Sequence, residues 1–287
     1  MDKIKIIMDT ASDITLEEAG EHIELLPVTI TVDDKAYREL YDISKEEYWK
    51  ILEDNENIPT TSQVTPEMFL EAYKKSAGEG FNKLIVVTIN GKGSGTFNSA
   101  NLAVSLFKEE CGDETEITVI DSTTYSYCYG RTVMNAAKMI DEGIEYKEIC
   151  DYLKDILPHM RGVAYMSTLK FAKASGRISV LAAVVGDALG LKPIIKLGNG
   201  EVDVINKTRG EKAAISKLIE AVKEDGYDVE NNELVLVHGN NPPEMIEKAK
   251  MEIEEKLNPK AVIIGQLGCS ITSNTGPQTI GILYRGK

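Results

Sequence analysis

The chain has 287 residues, 43% of them hydrophobic and 27% charged, with 32 basic and 46 acidic side chains giving a net charge of −14. That length favours two compact domains and needs no disulfide or metal staple for stability. The acidic balance excludes the cationic footprint by which proteins hold nucleic acid or an anionic membrane.

The opening "MDKIKIIMDT" reads as a strand rather than a signal peptide, and no apolar run reaches the roughly 18 residues of a membrane span. Four isolated cysteines (Cys111, Cys128, Cys150, Cys269) form no CxxC and lie at no metal-ligand spacing from a histidine. They fit a reducing cytoplasm, and a cytoplasmic location is expected.

In chain order, "IELLPVTITVDDKAYREL" reads as a short strand pair turning at Asp33-Asp34. "SKEEYWKILED" opens with the capping-box pair Ser44 and Glu47. "PTTSQVTP" reads as a polar loop, and "TPEMFLEAYKKSAGEG" as a helix with a cap, a first-turn proline and a closing glycine. "KLIVVTI" and "EITVID" are buried strands, with the helix "SGTFNSANLAVSLFKEE" between them. Two helices follow, "GRTVMNAAKMIDEG" and "YKEICDYLKDILPHM". This alternation predicts an α/β fold with a parallel sheet and helices on both faces.

Near Arg161 the pattern changes. "RGVAYMS" is a strand and "VLAAVVGDALG" a short apolar helix. "KPIIKLGNGEVDVINKTRG" is a hairpin turning at Gly198-Asn199-Gly200. Helix, strand, helix, strand and a final strand "TIGILYR" complete an α/β sandwich. The expected division is 1–160 and 161–287.

Ligands of open α/β sheets bind at the carboxyl ends of strands. Those ends carry Asp9, Thr10 and Asp13; "NGKGSGT"; and Asp121 with Ser122. The glycine-rich stretch is not a P-loop, because Lys92 precedes its second glycine, and it is not GxGxxG. It suits a strand-to-helix turn capped by Ser94, or a turn whose backbone N–H groups hold a single carboxylate at a helix start. Asp9, Asp13 and Asp121 suit caps and loop amides, with a hard-cation site as the alternative. A hydrolytic site would pair Ser94 with His238, a histidine that reads as structural.

Taken together these segments resemble the DegV family of bacterial lipid-binding proteins. "DTASD", "PTTSQVTP", "SGTFNSA", "VIDSTTYSYCYG", "LKFAKASGRIS", "LKPIIKLGNG" and "SNTGPQTIG" match its motifs in order along essentially the whole chain. The resemblance implies two α/β domains, the first holding a carboxylate site and the second covering an acyl chain. It also implies a long-chain fatty acid as bound ligand, no cofactor or catalytic metal, no catalysis of its own, and a fatty acid kinase as partner. By position, Thr61 and Ser94 would bond the carboxylate, with Thr10, Ser62, Gly95, Asp121 and Asn274 in the ligand-binding set. Arg177 and Arg209 would lie on the face that meets the kinase. "VLAAVVGDALGL" (Val180 to Leu191) would serve either as tunnel wall or as plain core. The chain departs from the family pattern at Val64, Tyr127, Cys128, Asn274, where histidine is common, and Gln278, where glycine is usual. The alternatives are an enzyme acting on a small carboxylate or acyl substrate through Ser94, and a carrier of a different lipid.

Overall fold

The computed structural model describes residues 2–54, 57–176, 192–226 and 233–286. Its first sheet is fully parallel, in the order β2-β1-β6-β7: β1 (Ile4–Asp9), β2 (Ile23–Leu26), β6 (Lys83–Thr88) and β7 (Glu116–Asp121). A strand covered on both faces can carry a near-continuous apolar run, as Ile6 to Met8 and Leu84 to Val87 do here. Ile6, Met8, Ile85 and Val87 face one core, while Ile7, Leu84 and Val86 face the other.

Helices α3 (Pro66–Gly78) and α4 (Thr96–Cys111) cover the second of these cores with Phe69, Tyr73, Ala103 and Phe107. Helices α5 (Tyr127–Asp141) and α6 (Tyr146–Ile156) cover the first with Tyr129, Val133, Ile149 and Leu153. Ahead of them lie α1 (Leu16–Ala19) and α2 (Lys45–Asp54). The expected capping box opens α2: Ser44 N donates to Glu47 Oε2 at 2.9 Å, and Glu47 N to Ser44 Oγ at 3.1 Å.

The stretch expected to be one strand pair is three strands. β2 joins the parallel sheet, while β3 (Thr29–Val32) and β4 (Lys35–Arg38) form the hairpin, with Asp33 in the left-handed region at its turn. The "PTTSQVTP" segment is also not simply a loop. Thr60–Ser62 is a strand, β5, because the free edge of β3 supplies backbone partners for it.

The second sheet is mixed and six-stranded, in the order β10-β9-β8-β13-β11-β12. It begins at β8 (Met160–Tyr165) and includes the hairpin β9 (Lys192–Gly198) and β10 (Glu201–Thr208). Asn199 and Gly200 both have positive φ at the hairpin turn, the type I′ signature of an Asn-Gly pair. The remaining strands are β11 (Glu233–His238), β12 (Ala261–Gln266) and β13 (Ile280–Arg285).

One face of this sheet packs on α8 (Glu211–Glu224) and α9 (Pro243–Leu257). The other face sends Val235, Val237 and Leu283 into the same core as α5. A short helix absent from the sequence reading, α10 (Cys269–Thr275), leaves β12 and packs back on β3 and β5. Another, α7 (Lys170–Ala174), follows β8. Arg177 and the Val180 to Leu191 stretch lie outside the described residues.

Candidate functional site

Between the two sheets lies a cavity of about 770 Å³, within the roughly 300–1,000 Å³ range of small-ligand sites. It opens at the carboxyl ends of β1, β6 and β7, as open α/β sheets dictate. Its walls are of two kinds. Thr61, Ser62, Ser94, Ser126 and Asn274 supply polar groups, and Met166, Ile195, Leu197, Val237, Ile271 and Leu283 supply an apolar surface. Exposed lining residues include Ser62, Gln63 and Lys92, on the segments that carry Thr61 and Ser94, and Gly176, Glu201 and Asp203 on the other side of the cavity.

The turn at Ser94 is built by β6 running into Asn90. The Asn90 carbonyl accepts from Gly93 N at 3.0 Å and Ser94 N at 3.1 Å. Ser94 Oγ pairs with Thr96 Oγ1 at 2.9 Å and accepts from Thr96 N at 3.3 Å. The helix cap is Gly95, one residue beyond the expected Ser94, and no side chain bonds the first turn of α4 from that position.

Of the residues expected in the site, Thr61, Ser62, Ser94 and Asn274 line the cavity; Thr10, Gly95 and Asp121 do not. Thr10 is buried behind the wall, where its hydroxyl donates to Glu39 Oε2 at 2.7 Å and accepts from Val28 N at 3.0 Å. Asp121 accepts from Gly91 N at 3.0 Å and Thr123 N at 2.9 Å, fixing the two loops that flank the mouth. Gly95 gives room to Gln63, whose amide lies where a Cβ would stand. Arg209 is exposed at the end of β10. Asn274 donates to Ser270 O at 2.8 Å along α10.

Three buried carboxyls stand behind the cavity, and each is used as an acceptor. Asp9 takes hydrogen bonds from Tyr129 OH at 2.6 Å and Ile89 N at 2.8 Å. Asp13 takes them from the Ser126 hydroxyl and from Gly268 N, the latter at 2.8 Å. Glu39 accepts from Ser270 N at 2.9 Å. Burial pushes Asp9 up to about 6 and Asp13 to about 7, and raises Glu39 as well. The Asp13 and Glu39 bonds tie the segments after β1 and β4 to the start of α10. Asp9 and Asp13 thus accept from loop amides. No group of three or more metal-ligating side chains is assembled among the described residues.

His238 is half-buried, with Nδ1 2.7 Å from Gly239 O, and burial lowers its pKa. No hydrogen bond joins it to Ser94 among the described residues. Gln63, in the polar loop that offers hydroxyls and amides, also lines the cavity, as do Tyr125, Ser126 and Ser270, which the sequence did not single out. Tyr125 and Ser126 follow a strand end and so carried a signal. Ser270 did not, because its helix went unread.

Residues 3–287 match the model of the family described as "Uncharacterised protein, DegV family". The chain belongs to the DegV family. A DegV domain-containing protein of Caldanaerobacter subterraneus subsp. tengcongensis is 32% identical over 288 residues, covering all of both chains. The DegV fold is equally plain in solved structures. A DegV family protein of Thermus thermophilus, described by its fatty acid binding, superposes with a TM-score of 0.86 at 26% identity, covering 99% of this chain and 100% of that one. The Fatty Acid Kinase B3 protein of Streptococcus pneumoniae, loaded with linoleic acid, shares the fold with a TM-score of 0.85 at 21% identity, each chain fully covered. No helix among the described residues is long and apolar enough to cross a membrane.

Proposed function

We propose that this chain binds a long-chain fatty acid in the cavity and presents its carboxylate to a partner fatty acid kinase, which converts it to an acyl phosphate. The observation that carries this reading is the polarity of the cavity. Hydroxyls of Thr61, Ser62 and Ser94 line it together with an aliphatic surface of Met166, Ile195, Leu197, Val237, Ile271 and Leu283.

Magnitudes fit the division of labour. Each buried methylene contributes about 0.8 kcal/mol, so a chain of about 15 gains about 12 kcal/mol gross. Association costs at least several kcal/mol in lost freedom. The tail therefore supplies affinity, and the head needs orientation only. Hydroxyls at Thr61 and Ser94, with the N-terminal dipole of the 16-residue α4 behind them, orient a carboxylate by charge-assisted bonds without a buried cation. Thr10, Gly95 and Asp121 support that end from behind, and Arg209 belongs to the face offered to the kinase.

Native mass spectrometry of protein purified from cells tests the reading. One added fatty acid mass is expected. Protein that is empty as purified, and stays empty after incubation with palmitate or oleate, overturns it. Transfer of phosphate to the bound acid by a fatty acid kinase, with no turnover by this chain alone, tests the second half.

A further inference from the structure

Asn90, two residues beyond β6, has a side chain that is 0% exposed yet polar, and it is not among the residues lining the cavity. Its Nδ2 donates to Tyr125 OH at 2.8 Å and to Gly200 O at 3.0 Å, and its Oδ1 accepts from Lys92 N at 3.0 Å. These three partners come from three segments, and all three line the cavity. The amide can sit only one way round. Reversing it would set Oδ1 against the Gly200 carbonyl and an N–H against the Lys92 N–H.

The partners are themselves closely fitted. A Cβ on Gly93 would stand 2.5 Å from Tyr125 OH, so that hydroxyl rests on the glycine of the Ser94 turn. Gly200 N donates to Thr123 O at 3.0 Å, which seats the β9–β10 hairpin tip on the loop after β7.

We infer that Asn90 is the positioning residue of the cavity's polar end. Its side chain locks the Lys92–Ser94 turn, Tyr125 and the Gly200 hairpin tip into the one arrangement that aims Ser94 at a ligand head group. The inference rests on the fatty acid reading of the cavity and adds to it a residue that touches no ligand. Without the amide, the Lys92 N–H and the Gly200 carbonyl lose their buried partner, and the turn is free to leave its head-group geometry. Met166, Val237, Ile271 and Leu283 of the apolar wall stand on segments that the Asn90 amide does not bond.

The test compares a ligand that uses the head site with one that does not. Dissociation constants for palmitate and for 1-hexadecanol are measured by displacement of a fluorescent fatty acid, on the wild type, Asn90→Ala and Asn90→Ser. For Asn90→Ala, palmitate binding should weaken by about tenfold, the worth of roughly one charge-assisted bond, with hexadecanol changed by less than about threefold. Asn90→Ser, which can still turn back onto Lys92 N, should lie between, at a loss of about threefold for palmitate. An unchanged palmitate-to-hexadecanol ratio, or equal weakening of both, overturns the inference and shows Asn90 to be merely structural. Should Asn90→Ala fail to fold, the ratio in Asn90→Ser decides in the same way. A wild type that binds neither lipid overturns the functional reading, and this inference with it.

Discussion

Gln63 Nε2 donates to Ser99 Oγ at 2.7 Å, and the amide that makes this bond occupies the space a side chain on Gly95 would need. One contact therefore fixes the end of β5 to the first turn of α4. Thr61 sits on the first of these elements and Ser94 just before the second. The two hydroxyls assigned to the head group are thus held at a set separation by a residue between them.

Gly95→Ala should expel the Gln63 amide and loosen that separation. We expect the ligand-induced rise in Tm to shrink, with palmitate affinity down by about threefold to tenfold. Gln63→Ala in the same chain should restore part of the loss by removing the obstruction. A double-mutant cycle in palmitate affinity reads the coupling, and strict additivity of the two changes would refute the contact.

Removing the hydroxyls themselves should act on the head group alone. Ser94→Ala with Thr61→Val should weaken palmitate by about tenfold to a hundredfold, the range for one or two hydrogen bonds to a charged group. Isothermal titration with palmitate and with its methyl ester checks this. The ester should bind both proteins alike.

Lys92 should matter little. Its ammonium lies 3.3 Å from Glu201, but the two side chains are 63% and 66% exposed. Exposed pairs of this kind are worth about 0–1 kcal/mol. Lys92→Ala should change palmitate affinity by less than about threefold at physiological salt, measured by the same titration. A phosphate-cradling role for the lysine would demand far more.

Stability should fall as pH rises from about 4.5 to 7.5. Asp9 and Asp13 have folded-state values of about 6 and 7, against an ordinary 3.8, because burial penalises the ionised form. Between those limits the folded state holds more protons than the unfolded chain, so the slope of unfolding free energy against pH is negative. Their stabilising contribution is present in full below 3.8 and is lost as pH climbs through 6 and 7. Asp13→Asn keeps an acceptor for Gly268 N and cannot ionise. It should flatten the decline and raise Tm by several degrees at pH 8, with little change at pH 5, in thermal melts of ligand-free protein.

The parallel sheet was legible because its central strands carry near-continuous apolar runs and alternate with amphipathic helices. The three-residue strand β5 was not. "TTS" has no periodicity to display, and its pairing comes from a β3 edge some 30 residues away. α10 was hidden for a similar reason: "CSITSNT" is rich in hydroxyls that disfavour helix locally. It stands because Gly268 and Ser270 amides meet Asp13 and Glu39, partners more than 230 residues distant. Site residues at strand ends, such as Ser94, could be read from order alone. The holding role of Asn90 could not, nor the bond that Gln63 of the polar loop makes to Ser99, since both are visible only once distant segments meet.

The α5 layer has a consequence for how the molecule comes apart. Val133 and Tyr127 share one apolar cluster with Ile6 and Val87 of the first sheet and with Val237 and Leu283 of the second. A division near residue 160 therefore separates sheets but not cores. A fragment cut there would bare the underside of α5 to water, and its complement would bare the matching face of β11 and β13. The shared cluster predicts that the two halves melt together. The ligand cavity is the gap left where that common interior stops, so whatever fills it completes a packing that the chain leaves unfinished.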